Sequence, residues 1–123
     1  MLNQTLLIGR IVAEPELRET STGKKVSSVR LAIPKPYRNE AGVYETDYIE
    51  CTMWNNKAER ASDHLKTGDL VLVSARIQTY TNEKTNQKSL ELVAENISFL
   101  SKSKKAIEQE LSQEDIEPEM DFE

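Results

Sequence analysis

One stretch of eight residues, Asp47 to Trp54, constrains the fold of this chain more than any other part of it. Its sequence, Asp-Tyr-Ile-Glu-Cys-Thr-Met-Trp, is rich in residue types that favour a β-strand. Side chains alternate between the two faces of a strand, so Ile49, Cys51 and Met53 share one apolar face. The other face presents Tyr48 and Trp54. These either stack on a flat ligand such as a nucleic-acid base or pack against another part of the fold or a subunit.

Four further segments have strand-like patterns: residues 3–12, 26–33, 70–80 and 89–100. Asn55 to Thr67 has the apolar spacing of a helix, with Asn56 as the expected N-cap, Glu59 completing a capping box and Gly68 following the C-terminus. Three strands, a short helix and two more strands predict an all-β fold. We expect a five-stranded OB-fold barrel with one short helix between strands 3 and 4. A five-stranded sandwich is the alternative.

Proline and glycine mark the expected interruptions of these strands. Pro34 and Pro36 are expected to end the second strand, so that residues 35–44 form a polar hairpin loop with Gly42 at its turn. Gly23 is expected at an earlier turn. Gly9, inside the first strand, indicates a bend, a bulge or a close approach of another backbone segment.

Charge divides the chain into two parts. Residues 101–123 hold three basic and eight acidic residues, so they account for the whole net charge of −5 and leave residues 1–100 neutral. We therefore expect one domain at 1–100 and a flexible, disordered acidic C-terminal tail at 101–123. The N-terminus lacks the pattern of a secretory signal, and no apolar run is long enough for a membrane span. These features predict a cytoplasmic protein.

The residues offer little for catalysis or metal binding. The single cysteine, Cys51, excludes an intramolecular disulfide, and with one histidine it cannot build a Cys/His zinc cluster within one chain. Cys51 is expected in the core and His64 on the helix surface or at an interface. We find no glycine-rich phosphate loop and no catalytic triad. The expectation is a protein without enzymatic activity, cofactor or metal.

The chain resembles the bacterial and bacteriophage single-stranded DNA-binding protein family. The resemblance rests on a series of short motifs that occur in order over residues 1–100, together with an acidic, Phe-containing C-terminus. The motifs are Leu7-Ile-Gly-Arg10, Pro15-Glu-Leu-Arg18, Asp47 to Trp54, Leu65-Lys-Thr-Gly68, Arg76-Ile-Gln-Thr79 and Ala94-Glu-Asn-Ile97. The resemblance implies an OB-fold homo-oligomer, usually a tetramer, that binds single-stranded DNA without sequence preference. It also implies a nucleoid-associated protein of replication, recombination and repair, or one of the host cytoplasm if phage-encoded.

The resemblance also indicates which residues would contact DNA and partner proteins. Tyr37, Tyr48 and Trp54 match the family's stacking positions, whereas Tyr80 either is a displaced stacking residue or takes no part in stacking. Glu50 lies beside Tyr48 and is expected to pair with a cation, and Tyr44 is expected to pack within its hairpin. The candidate phosphate ligands are Lys35, Arg38, Lys57, Arg76, Lys84 and Lys88, although each could equally be a solvated surface charge. The partner-binding tail residues are Glu119, Met120, Asp121 and Phe122, in an ending that differs from the family's usual Pro-Phe.

Two other functions fit an OB-fold of this kind. One is a primosomal-type protein-interaction scaffold that binds nucleic acid only weakly. The other is an RNA-binding domain. The tail has three interpretations: it recruits partner proteins, competes with DNA for the basic groove, or only solubilises the chain.

Overall fold

The computed structural model describes residues 1–102. Nearly all of the regular structure in this part is β-strand. The elements are β1 (Thr5–Ala13), β2 (Arg18–Glu19), β3 (Lys25–Arg38), β4 (Tyr44–Trp54), α1 (Asn56–His64), β5 (Leu70–Asn82) and β6 (Gln87–Ser101). The predicted tail beyond Lys102, with its four partner-binding residues, lies outside the described residues. No helix in residues 1–102 has the length and apolar composition needed to cross a membrane.

Five of the strands close into a barrel. They follow the order β1-β5-β6-β4-β3, and β3 pairs back onto β1 through Arg10 with Ala32 and Ile11 with Leu31. All pairings around the barrel are antiparallel except that of β4 with β6, which is parallel at Cys51–Leu92 and Thr52–Val93. The two-residue strand β2 pairs only with β3. The predicted closed barrel, with one helix between its third and fourth strands, is confirmed, and the sandwich alternative is not adopted.

The barrel interior is filled by apolar side chains from all five of its strands, with Ala94 as the buried member from β6. Residues with at most 2% of their surface exposed include Ile11, Val29, Leu31, Cys51, Met53, Val71, Val73 and Ala75. The helix adds Ala58 and Ala61 to the same cluster, and Leu65, which follows the helix, also belongs to it. Ile49 packs against this cluster while partly buried. The predicted inward face of the central strand is therefore confirmed. Each fully buried Leu, Ile, Val or Met stabilises the fold by about 1.5–3 kcal/mol through removal from water.

Gly9 lies where two barrel strands come very close. A Cβ atom added there would be 2.8 Å from Cγ1 of Ile33 and 2.9 Å from the carbonyl oxygen of Ala32. No side chain fits at these distances. The predicted close backbone approach is therefore confirmed, and glycine at this position allows β1 to pack against β3.

Two local predictions are wrong. Pro34 and Pro36 do not end the second predicted strand, because β3 continues to Arg38 and its register with β4 shifts between Pro34 and Arg38. A proline removes a donor from the ladder but is tolerated where the pairing is already irregular. The predicted hairpin loop at 35–44 is accordingly reduced to the few residues before Tyr44.

The helix is also shorter than predicted. It ends at His64, and its N-cap is Asn55, with a φ of 58°, rather than Asn56. No side chain caps the first turn. The expected capping box does not form because, with Asn55 as the N-cap, Glu59 is four residues further on rather than three. Its carboxylate instead accepts a hydrogen bond from the Lys25 ammonium of β3. Leu65 is already extended and ends the helix, so Gly68 lies in the following turn.

Candidate nucleic-acid interface

The outward face of β4 combines aromatic rings with a cation from β3. In the antiparallel register Tyr48 lies opposite Ala32, and Glu50 lies opposite Arg30. Residues directly opposite one another share a face of the sheet. The Arg30 guanidinium lies over the Tyr48 ring, 5.0 Å from its centroid, and Tyr48 is 56% exposed. A half-exposed ring with a cation beside it suits both base stacking and phosphate contact.

Trp54 is half-buried between two open grooves. The first, of about 530 Å³, is lined by Trp54 with Lys57 and Arg76 among its other residues. The second, of about 330 Å³, is lined by Trp54 with Thr20, Thr22, Lys24 and Asn55. The single indole therefore lies at a junction, with cationic side chains on both sides of it.

Arg76 is oriented by a chain of hydrogen bonds between β5 and β6. Its Nη1 donates to Oε1 of Gln78 at 2.9 Å, and Nε2 of Gln78 donates to Oε2 of Glu91 at 2.7 Å. Arg76 is exposed despite this contact. The structure thus brings Arg76 and Lys57, two predicted phosphate ligands, together around Trp54.

Tyr80 lies in a different environment. It is 50% exposed and lines a groove of about 520 Å³ whose other residues include the carboxylates of Glu50 and Glu91. A DNA phosphate near these carboxylates would be repelled. The structure therefore separates Tyr80 from the cations around Trp54.

The predicted ion pair of Glu50 is not observed. The ion pairs found in residues 1–102 are Lys25 with Glu59 and Lys35 with Asp47. Arg30 is opposite Glu50 in the register, but its guanidinium contacts the Tyr48 ring instead.

The β3–β4 hairpin carries three more of the predicted residues. Tyr37 is 63% exposed. The Lys35 ammonium donates to Oδ1 of Asp47 at 2.5 Å, and this bond raises the pKa of Lys35. The Arg38 guanidinium lies 5.3 Å from the centroid of the Tyr44 ring. Tyr37 is thus available for stacking, while Lys35 would have to exchange its carboxylate partner for a phosphate.

The remaining predicted cations lie in the β5–β6 hairpin. Lys84 and Lys88 are both exposed, and Lys88 is opposite Thr81 in the register. They are the predicted phosphate ligands nearest in sequence to Tyr80, which lines the groove that contains Glu50 and Glu91.

Two cations of this surface were missed in the sequence. Arg30 alternates with the inward Val29 and Leu31, so the strand pattern alone places it outward. Its position beside Tyr48 depends on the β3–β4 register. Lys24 lines the same groove as Trp54 only because the turn before β3 folds next to the end of β4, and no local pattern indicates that placement.

Cys51 takes no part in this surface. Its thiol is fully buried, and burial, followed by the charge of Glu50, raises its pKa to about 11. A thiol with such a pKa is protonated and unreactive at neutral pH. In the described part of the chain, no group of three or more His, Cys, Asp and Glu side chains could hold a metal ion.

Comparison with known proteins identifies a matching family and several relatives of this chain. The model of the Single-strand binding protein family matches residues 2–100. Single-stranded DNA-binding protein B of Bacillus subtilis is 41% identical over 103 residues, covering 81% of this chain and 91% of that protein. Single-stranded DNA-binding protein 3 of Listeria innocua is 39% identical, and the match covers 81% of this chain but 64% of that protein.

A solved structure shows the same fold. The wild-type single-stranded DNA binding protein from Thermus aquaticus superposes with a TM-score of 0.68 at 29% sequence identity, covering 81% of this chain and 50% of that chain. This chain therefore spans most of the Bacillus relative but only about half of the Thermus protein.

Proposed function

Because the chain belongs to the Single-strand binding protein family, we propose that it binds single-stranded DNA without sequence preference. In this proposal it coats and protects DNA strands in the cytoplasm during replication, recombination and repair. The observation that carries the proposal is the outward face of β4, where Tyr48 and Trp54 lie on one side of the strand with Arg30 and Arg76 close by.

Stacking and phosphate contacts supply the affinity together. Stacking of a base on an aromatic ring contributes about 1–3 kcal/mol, and it tolerates any sequence because every base has a π-face. Tyr48 and Trp54 are six residues apart on a strand, which corresponds to about 20 Å. This separation leaves room for further nucleotides between the two rings. Cations along the path neutralise the phosphates, so the affinity falls as the salt concentration rises.

The test is a fluorescence titration with oligo-dT at low salt. Trp54 is the only tryptophan of the chain, so any quenching reports on this site. We expect strong quenching of the wild-type protein. We also expect Trp54→Ala to weaken binding about 5- to 150-fold, measured by anisotropy of labelled DNA. An undetectable affinity for oligo-dT at low salt would refute the proposal, and a preference for RNA of equal length would favour an RNA-binding domain instead.

The protein-interaction scaffold predicts the opposite pattern. There, Trp54→Ala would impair complex assembly and leave the weak DNA affinity unchanged. Nothing in the described residues favours this function specifically, whereas the cations around Trp54 favour nucleic acid.

The proposed assembly is a homo-oligomer, with a tetramer as the expected state. The outer face of β1 exposes Leu6 and Ile8 to 62% and 54%, and these residues lie opposite Ser74 and Leu72 of β5. Apolar side chains side by side on a sheet are covered in many oligomers. Mass measurement in solution tests the assembly, and Ile8→Lys is expected to shift the mass towards the monomer. A wild-type protein that is monomeric would contradict this part of the proposal.

The tail is proposed to recruit partner proteins. Residues Glu119 to Phe122 combine carboxylates with two large apolar side chains, which suits a pocket with basic and hydrophobic walls. Removal of residues 115–123 is expected to leave DNA affinity unchanged, or to raise it if the tail competes with DNA. A fall in affinity would show that the tail itself contributes to DNA binding.

A further inference from the structure

A fourth groove lies between helix α1 and strand β6. Its volume is about 340 Å³. Its apolar lining includes Met53, Ala61, Leu65, Ala94, Ile97 and Phe99. The Phe99 ring is 47% exposed, although aromatic rings of a barrel strand are usually covered. Lys57, Arg60 and His64 of α1 line the same groove. We call it the helix groove.

The helix groove is continuous with the site around Trp54. Lys57, Ala94 and Glu95 line both the helix groove and the groove that contains Trp54 and Arg76. That second groove shares Trp54 and Asn55 with the groove beside Lys24. Each groove therefore adjoins the next, and we call the series from Lys24 past Trp54 and along α1 to Phe99 the furrow.

Charge favours this furrow over the alternative route to Tyr80. The furrow is lined by the cations Lys24, Lys57, Arg60 and Arg76, with Glu95 as the only carboxylate among its described lining residues. The groove of Tyr80 is lined by two carboxylates, Glu50 and Glu91, and none of its described lining residues is Lys or Arg. A polyanion leaving Trp54 therefore meets attraction in one direction and repulsion in the other.

We propose that single-stranded DNA leaves Trp54 along the helix groove, with phosphates at Lys57 and Arg60 and a base stacked on Phe99. This inference rests on the proposed function and adds to it a subsite outside the predicted path of Tyr37, Tyr48, Trp54 and Tyr80. The apolar floor of the groove receives the base, and the cations of α1 remain at its rim to meet the backbone.

The full chain contains one natural reporter at each part of the furrow. Trp54 is the only tryptophan and His64, in the helix groove, is the only histidine. We expect short oligo-dT to quench Trp54 without moving the proton NMR signals of the His64 ring. Oligo-dT lengthened towards about 16 nucleotides per subunit, the upper range for one OB-fold, is expected to move those signals as well.

Substitutions then test the two contacts separately. Phe99→Leu keeps an apolar side chain but removes the ring, and it is expected to weaken binding of the long oligonucleotide about fivefold or more without affecting the short one. Arg60→Ala removes one phosphate contact. It is therefore expected to lower the slope of log K against log salt concentration by about 0.7 for the long oligonucleotide. Lys66→Ala is the matched control, because Lys66 is also exposed and follows α1 but lines none of the three grooves.

The outcomes separate this inference from the proposed function. If Trp54 is not quenched at all, the proposed function itself fails. If Trp54 is quenched but His64 signals stay unmoved at every length, the helix groove does not bind DNA and the inference is overturned. It is also overturned if Tyr80→Ala weakens the long oligonucleotide while Phe99→Leu behaves like Lys66→Ala. If a synthetic peptide of residues 114–123 moves the His64 NMR signals and DNA does not, the helix groove is a peptide-binding site instead.

Discussion

The two faces of strand β4 differ in their role, because one packs in the barrel core and the other is available for binding. The inward face, with Cys51 and Met53 fully buried, is determined by packing against the other barrel strands. The outward face, with Tyr48 more than half exposed and Trp54 half-buried between grooves, contributes little to the core. The same strand thus stabilises the barrel with one set of side chains and offers a binding surface with the other. Substitutions on the two faces should therefore separate stability from affinity.

Met53→Ala should show the largest effect. Met53 is fully buried under the helix, so truncation leaves a cavity and is expected to cost about 2–5 kcal/mol of unfolding free energy. Urea denaturation measures this loss. The neighbouring outward residue provides the control, because Thr52→Ala is expected to cost about 1 kcal/mol or less. Equal losses for the two variants would show that the faces do not differ as described.

Cys51 should make the stability of the inward face depend on pH. Burial raises the pKa of its thiol from 9.0 to about 11, so the folded state keeps a proton that the unfolded state loses. Its contribution to stability is therefore complete below pH 9 and declines as the pH rises towards 11, by roughly 3 kcal/mol in total. Cys51→Ala lacks the titrating group, so the difference in unfolding free energy between wild type and variant should change over this range. A constant difference would mean that the thiol is not shielded.

Tyr48→Ala should leave stability nearly unchanged and weaken DNA binding. Loss of one stacked base is expected to cost about 1–3 kcal/mol of binding free energy, measured by titration with oligo-dT. Tyr44 is a matched control on the same strand, because it is 53% exposed against 56% for Tyr48 and also lies beside an arginine. Tyr44→Ala should cost much less, since Tyr44 lies in the hairpin away from Trp54. Similar losses would mean that Tyr44 also stacks on DNA and does not only pack beside Arg38.

The inward face could be predicted from the sequence and much of the outward surface could not. Ile49, Cys51 and Met53 alternate with outward residues, which is a local pattern with a period of two. In a barrel the apolar side of such a strand must face the interior, so these three residues could be assigned to the core. The surroundings of Tyr80 depend on Glu50 of β4 and Glu91 of β6, which are far apart in the chain. No local sequence pattern indicates that these two carboxylates lie in the same groove as Tyr80. The placement of Lys24 beside Trp54 has the same cause.

The misjudged prolines illustrate the same limit. A proline in a strand is harmful only where its missing N–H would have joined the ladder. Whether Pro34 and Pro36 lie at such a position depends on the pairing of β3 with β4, which becomes irregular after Pro34. The sequence shows the proline but not the pairing that decides its effect.

Glu50→Gln should produce the smallest effect and act on both faces of β4. Glu50 is exposed beside Tyr48 and its charge opposes nearby phosphate, so its neutralisation is expected to raise DNA affinity by about 0.5 kcal/mol at low salt, or about twofold. Screening should abolish this gain at high salt. The same charge helps to raise the pKa of Cys51, so the variant should also lose slightly less stability than the wild type as the pH rises from 9 towards 11. Glu14→Gln, an exposed carboxylate after β1, should change neither property. If Glu50→Gln changes the pH dependence of stability but not the affinity for DNA, then DNA does not pass over this part of the strand.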